Sequence, residues 1–338
     1  MIKYFHIAKG GILTELKIKE LPVSEKNYAE TMKTKVEPYL ASLREDGYFE
    51  SFDGKRIHFE KYVVPESTAN ITVVHGFTES GEKFREMAYN FTLMGFNVFV
   101  IDNRGHGKSY RMNADPETVT IDRFDTYVED LHEFVKQIVI PANEGKPMYV
   151  YCHSMGGAVT VQYLQEHPGV FKKAVLSAPM IKCRCGKFSQ EVALALTSAF
   201  CLLGKKDDMV IGYKGFNPDR TYENSHDTSK ARFDYYQAKR VADRDYQTAS
   251  PSNKWVTEAV KVTKKNLDKK RCKNISIPVF LCQPEEDTSV YSDAENEFIS
   301  LIPDGKLKQY KNCKHEIYAA VDDTVFEYLQ DIEKFYKA

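Results

Sequence analysis

Three kinds of side chain in this 338-residue chain stand where they could together open an acyl bond: the hydroxyl of Ser154, the carboxylates of Glu285-Glu286-Asp287 and the imidazole of His315. A serine hydroxyl is a poor nucleophile until a neutral imidazole takes its proton. The imidazole in turn needs a carboxylate to fix its tautomer and to stabilise the cation it becomes. The surroundings of Ser154 suit that part. Tyr149-Val150-Tyr151-Cys152 reads as a strand, His153-Ser154-Met155-Gly156-Gly157 as a sharp turn, and Ala158, Val159, Val161, Tyr163 and Leu164 follow at helical spacing. A serine at such an apex sits in a strained backbone conformation, and larger neighbours would collide across the strand–helix junction, hence Gly156 and Gly157. The common pattern is G-x-S-x-G. Here Cys152 takes the place of the first glycine, and taken alone the motif leaves open a serine that merely caps a buried helix.

These groups can meet only if several strands end at one edge. From Ile71 the chain alternates short apolar strands (71–74, 97–101, 148–152) with longer helical patterns near 83–94 and 124–139, which is the rhythm of β-α-β units and a mostly parallel sheet with helices on both faces. In such sheets ligands sit at the carboxyl ends of the strands. The strand 71–74 ends in His75-Gly76-Phe77-Thr78-Glu79-Ser80, where a glycine permits a turn that aims backbone N–H groups at one spot, as a developing oxyanion requires. A strand at 174–179 is followed by an interruption, residues 180–262, with an apolar helical run at 192–203 and then a long polar stretch. It reads as a cap over the strand ends, its apolar run serving either as the cap's own core or as part of an acyl-pocket lining. Core segments 47–179 and 263–338 flank it, the second containing strands at 275–283 and 306–310 and a closing helix at 321–336. The core begins with a hairpin turning at Asp53-Gly54, and residues 1–46 read as an N-terminal helical extension, amphipathic over 28–43 apart from Pro38.

Composition narrows the classes. With 47 basic against 48 acidic side chains there is no basic field, so nucleic acid is not expected as a partner. No stretch approaches the roughly 20 apolar residues of a membrane span. The opening Met1-Ile2-Lys3-Tyr4-Phe5-His6 leads into no uninterrupted apolar core, so a cytoplasmic protein is expected. Transient contact with a membrane surface stays compatible with this composition, and nothing in it specifies an oligomeric state. The seven cysteines follow no framework spacing; Cys183-Arg184-Cys185 is the one close pair, and without a second pair or a histidine cluster reduced thiols are expected. Gly107-Lys108-Ser109 has Asp102 where a phosphate loop needs its first glycine, which excludes nucleotide binding. Neither a metal nor another cofactor is expected.

The order serine, acid after a later strand, histidine after the last strand is that of the α/β-hydrolase triad. From Tyr48 to the C-terminus the chain resembles the monoglyceride lipase and bacterial lysophospholipase branch of that fold, often labelled serine aminopeptidase S33-like or hydrolase-4. The resemblance rests on His75-Gly76-Phe77-Thr78-Glu79, Asp102-Asn103-Arg104-Gly105-His106-Gly107-Lys108-Ser109, His153-Ser154-Met155-Gly156-Gly157, Gln283-Pro284-Glu285-Glu286-Asp287 and Lys314-His315-Glu316. The D-x-R-G-H-G-x-S element is the most telling, although Asn103 stands where the branch commonly has histidine. Ser250-Pro251-Ser252-Asn253-Lys254-Trp255-Val256 is similar to the segment that ends the cap in the lysophospholipase members. The resemblance implies an α/β-hydrolase fold with a helical cap insertion. It also implies Ser154 as nucleophile, Asp287 as orienting acid, His315 as base, and the backbone N–H groups of Phe77 and Met155 as oxyanion hole. The substrate it implies is a small-molecule acyl ester, a monoacyl lipid such as a lysophospholipid or monoacylglycerol. The same triad would serve a short-chain carboxylesterase or a peptidase acting on N-terminal residues, and a non-catalytic binding module is the alternative from another class.

Overall fold

The computed structural model describes residues 18–338. One sheet holds β1 (Arg44–Glu50), β2 (Arg56–Tyr62), β3 (Ala69–Val74), β4 (Phe96–Ile101), β5 (Met148–His153), β6 (Lys173–Ser177), β7 (Val279–Glu286) and β8 (Gly305–Lys314), in the spatial order β1-β2-β4-β3-β5-β6-β7-β8. β2 runs antiparallel to both β1 and β4, and every other pairing in the sheet is parallel. This is the mostly parallel α/β-hydrolase sheet the sequence implied. The hairpin turns where expected: Gly54 takes φ +74 and Ser51 N–H donates to Lys55 O at 2.9 Å. β1 nevertheless starts at Arg44, ahead of the alternating run that begins at Tyr48.

The main helices are α1 (Arg85–Leu93), α2 (Asp125–Phe134), α3 (Met155–Glu166), α4 (Gln190–Leu202), α5 (Lys230–Ala242), α6 (Asn253–Asn266), α7 (Ser292–Ser300) and α8 (Asp322–Lys337). Because successive strand residues face opposite ways, the core divides into two layers. Val74, Phe99, Ile101, Val150 and Cys152 pack under α2, α3 and α7, whereas Ile71, Val73, Val98, Val100 and Tyr151 pack under α1 and α8. Both faces are covered, as a parallel sheet requires.

The second layer has an additional contributor. Short helical turns at Tyr28–Thr31 and Glu37–Leu43 flank a π turn at Met32–Val36, and they bury Tyr28, Met32, Val36 and Leu40 in that layer together with Val23. The spacing of four residues keeps these side chains on one side, and each apolar side chain removed from water contributes roughly 1.5–3 kcal/mol before ordering costs. The N-terminal helical run is therefore part of the core. Residues 1–17 of the expected extension lie outside the described residues.

Helices α4, α5 and α6 are inserted between β6 and β7, and α6 continues to Asn266. The run at 192–203 is for the most part not the cap's own core, since only Gln190, Ala193 and Thr197 of α4 are buried, while Val192, Leu196, Leu202 and Leu203 are exposed. Ser250–Pro251 pairs with Thr118–Val119 in a two-stranded sheet that ties the insertion to the core.

Candidate active site

Ser154 follows β5 with φ 49° and ψ −117°, a region few side chains tolerate. Its N–H donates to Ser177 O at 3.1 Å, and its carbonyl accepts the N–H groups of Gly157 and Met180, each at 2.8 Å. A Cβ on Gly156 would stand 2.2 Å from Val74 O, and one on Gly157 would stand 2.5 Å from Pro179 Cβ. Both glycines are thus required by close packing. Cys152 is not under that demand: its side chain lies in the core with Sγ 3.6 Å from Val175 O, and its backbone is outside the left-handed region.

The chain ends of β5, β7 and β8 bring Ser154, Asp287 and His315 together. His315 Nε2 is 2.8 Å from Ser154 Oγ and its Nδ1 is 2.7 Å from Asp287 Oδ2. The Asp287 side chain is fully buried, and its Oδ1 accepts the N–H groups of Ser289 at 2.7 Å and Val290 at 3.0 Å. Burial raises the Asp287 carboxyl, but His315 and those two N–H groups outweigh it, so the group is held below the usual carboxylate range. For His315 burial lowers the imidazole, and the charge and hydrogen bond of Asp287 lift it above the ordinary value. With Nδ1–H directed at Asp287, Nε2 is left to accept the Ser154 proton.

Phe77 and Met155 follow the two tight positions of the site. The Gly76 backbone lies against Ser154, an added Cβ coming within 3.1 Å of Ser154 Cβ, and Met155 is the first residue of α3. Among the described residues neither the Phe77 nor the Met155 N–H donates to a protein acceptor. Two unspent donors beside a serine hydroxyl are what an oxyanion needs. The Phe77 ring packs on Trp255 of α6 with centroids 4.1 Å apart.

The D-x-R-G-H-G-x-S element forms the rigid, charge-rich turn beneath this loop. Asp102 Oδ2 is 2.8 Å from His58 Nδ1, and its carboxylate accepts the N–H groups of Gly81 and Lys108. Gly107 has to be glycine, since a Cβ there would fall 2.2 Å from Asp102 Oδ2. Arg104 is buried in paired contacts to Asp130 and Asp53. Asn103 N–H donates to His75 Nε2 and its side-chain amide donates to His75 O, both at 2.9 Å, which fixes His75 with its Nδ1–H on Gly76 O. Asparagine at this position therefore has its own holding role.

A buried polar network behind His315 was not foreseen in the sequence. Glu79 Oε2 accepts Gly76 N–H, Glu79 Oε1 receives the Tyr318 hydroxyl, and Lys83 Nζ lies 3.3 Å from Glu79 and 2.5 Å from Glu316. Asp227 of the insertion joins them, and burial together with the charge of Glu316 pushes its carboxyl far up. His153, whose ring is 4.7 Å from that of His315, is pushed down to about 4 by burial and stays neutral. Glu79 and Glu316 stood inside the quoted motifs, but nothing in their spacing indicated Lys83 or Asp227 as partners.

Sheet, serine turn and relay are those of an α/β-hydrolase serine ester hydrolase. The sequence pattern of the serine aminopeptidase S33 (hydrolase-4) family matches residues 65–322, and the chain belongs to that family. It is 29% identical to lysophospholipase L2 of Escherichia coli K12 over 81% of this chain and 82% of that protein. It is 25% identical to monoglyceride lipase of Saccharomyces cerevisiae over 82% and 88% of the two chains. In fold it is similar to the crystal structure of a soluble variant of the yeast monoglyceride lipase with a substrate analog (TM-score 0.70, 21% identity, 87% and 94% of the chains). A thermostable carboxyl esterase from Bacillus coagulans with glycerol superposes equally well (TM-score 0.70, 19% identity, 87% and 98%).

Proposed function

We propose that this protein hydrolyses the carboxylic ester of monoacyl lipids, lysophospholipids or monoacylglycerols, through an acyl-enzyme on Ser154. The observation that carries the reading is the unbroken relay from Asp287 Oδ2 through His315 to Ser154 Oγ, at 2.7 and 2.8 Å. His315 Nε2 takes the serine proton as Oγ attacks the ester carbonyl carbon, and the N–H groups of Phe77 and Met155 hold the oxyanion. The imidazolium then protonates the departing alcohol. Water deprotonated by His315 attacks the acyl carbon, the imidazolium returns a proton to Ser154 Oγ as its bond to that carbon breaks, and the fatty acid leaves. The named activities of the lysophospholipase and monoglyceride lipase relatives support a monoacyl substrate.

In this reading residues 180–262 act as a cap over Ser154, which is only 9% exposed. Leu202, Leu203 and Ile211 are 89%, 73% and 75% exposed, and these unburied apolar side chains suit transient contact with a membrane surface, while the exposed Lys205-Lys206 and Asp207-Asp208 that follow Leu203 balance in charge. Among the described residues no helix is long and apolar enough to cross a membrane. The seven free thiols suit a reducing compartment, and we place the protein in the cytoplasm. The deciding experiment incubates the wild type and Ser154→Ala with a mixture of lysophospholipids and monoacylglycerols and follows fatty-acid release by mass spectrometry. Release by the wild type alone is expected; equal release by Ser154→Ala would refute the mechanism.

A further inference from the structure

Cys183-Arg184-Cys185, which the relay does not use, opens the inserted segment and is laced to the loop that holds Asp287. Residues 182–184 run antiparallel to 289–291. Cys183 pairs with Val290, Arg184 N–H donates to Ser289 O at 2.8 Å, Arg184 Nε donates to Val290 O at 3.0 Å, and Tyr291 N–H donates to Lys182 O at 3.0 Å. Ser289 and Val290 are the residues whose N–H groups hold Asp287 Oδ1. One ladder thus runs from the two cysteines to the acid of the relay.

Two residues apart on an extended stretch, the cysteine side chains point the same way, and the electrostatics of the two thiols are linked. Gln190 Nε2 at the start of α4 donates to Cys183 O at 2.9 Å and lies 3.5 Å from Cys183 Sγ. Cys185 is half-buried, and the neighbouring Cys183 thiol draws its own thiol down. By contrast Cys152, Cys272, Cys282 and Cys313 are buried, and burial pushes each of their thiols up. The thiolate is the reactive form, so Cys185 is the favoured nucleophile among these.

We propose that Cys183 and Cys185 form a hydroperoxide-responsive dithiol that loosens the Asp287 loop when it closes to a disulfide. Cys185 sulfur attacks the O–O bond of a hydroperoxide, becoming the sulfenic acid as one alcohol, or one water from hydrogen peroxide, is released. Cys183 sulfur then attacks that sulfenic sulfur, the S–O bond breaks, and the hydroxide leaves as water with the Cys183 proton. Two thiols are oxidised and one O–O bond is reduced. Residues two apart on a strand have Cα atoms about 6.5–7 Å apart, whereas a disulfide settles at about 5.5–6 Å. Closure therefore draws 183–185 inward, with Gly186 at φ +60 and open space around it to absorb the movement. Arg184 N–H then leaves Ser289 O, and the N–H pair on Asp287 loses its support. Such a bridge is strained and so is easily reduced.

The test treats the full-length protein with hydrogen peroxide and reads intact mass, a non-reducing peptide map and ester hydrolysis together. The expected result is the loss of two hydrogens, mapped to a Cys183–Cys185 link, with hydrolysis lost in step and regained with dithiothreitol. Cys183→Ser should stop at a sulfenic acid captured by dimedone at Cys185, and Cys185→Ser should resist reversible inactivation. A wild type that loses activity with both thiols still reduced would overturn the proposal, as would a link that leaves hydrolysis unchanged or equally fast reversible loss in Cys185→Ser. The mass readout does not depend on which ester is the natural substrate.

Discussion

Glu79 Oε2 accepts the backbone N–H of Gly76 across 2.5 Å, while its other oxygen receives the hydroxyl of Tyr318. A single carboxylate thereby joins the loop carrying Phe77 to the loop that follows His315. Glu79→Ala leaves a buried N–H without an acceptor, a cost of about 1–3 kcal/mol. If that cost falls on the oxyanion loop, kcat drops about 5- to 150-fold with KM little changed. Steady-state kinetics on a soluble ester decide it: an unchanged kcat alongside a lower melting temperature would make Glu79 purely structural.

In the proposed mechanism the relay accepts a proton only while His315 is neutral, so kcat/KM should rise with pH through the His315 pKa and be lost below it. Burial lowers that pKa and Asp287 raises it by more, placing the acid limb above the ordinary histidine value of 6.5. In Asp287→Asn the burial remains and the opposing charge is gone. The limb should move to lower pH, and the rate should fall roughly 10⁴-fold because the amide favours the wrong tautomer. A pH–rate profile of both proteins tests the direction, and a limb that stays in place would show that Asp287 is not the charge His315 responds to.

Arg104 is 1% exposed and bridges Asp130 and Asp53. Arg104→Met strands Asp130 in the core and should destabilise the fold by about 3–5 kcal/mol in urea titration. The double variant Arg104→Met with Asp130→Leu should recover part of that loss, because no buried charge is then left unpaired.

Replacing Leu202 and Ile211 with glutamate puts two charges on the most exposed apolar positions of the insertion. Binding to phospholipid vesicles should fall while hydrolysis of a soluble short-chain ester is kept. Co-sedimentation and a parallel esterase assay separate the two, and vesicle binding equal to wild type would remove this tip as the contact.

The parts of the fold legible in the sequence were those written in local pattern. Strand ends at Val74, His153 and Lys314 lie within a residue or so of loops that carry chemistry, and the turn around Ser154 needs its glycines for a clash that spacing alone foretells. Helical spacing over 28–43 likewise announced a buried stripe, but not that the stripe completes a core layer. What stayed hidden was pairing at long range. Lys83 meets Glu316 across 233 positions, and Thr118–Val119 meets Ser250–Pro251. Exposure of α4 was misjudged for a related reason, since an apolar run says that burial is favoured and not whether a neighbour exists to provide it.

The N-terminal run has a consequence for the order in which the chain is made. Ser24 Oγ donates to Asp322 at 2.6 Å, Ile18 N–H donates to Glu333 at 2.7 Å, and Arg232 Nη2 donates to Val23 O at 3.0 Å. Their partners stand 298, 315 and 209 positions away along the chain. These three bonds can therefore form only once residues 232, 322 and 333 have been made, whereas the ring of Tyr39 meets that of Tyr89 much earlier in the chain. A fragment trimmed to the family-matched stretch 65–322 would lack β1, β2 and almost all of α8 as well as this clasp. The boundary of kinship and the boundary of cooperative folding fall at different residues.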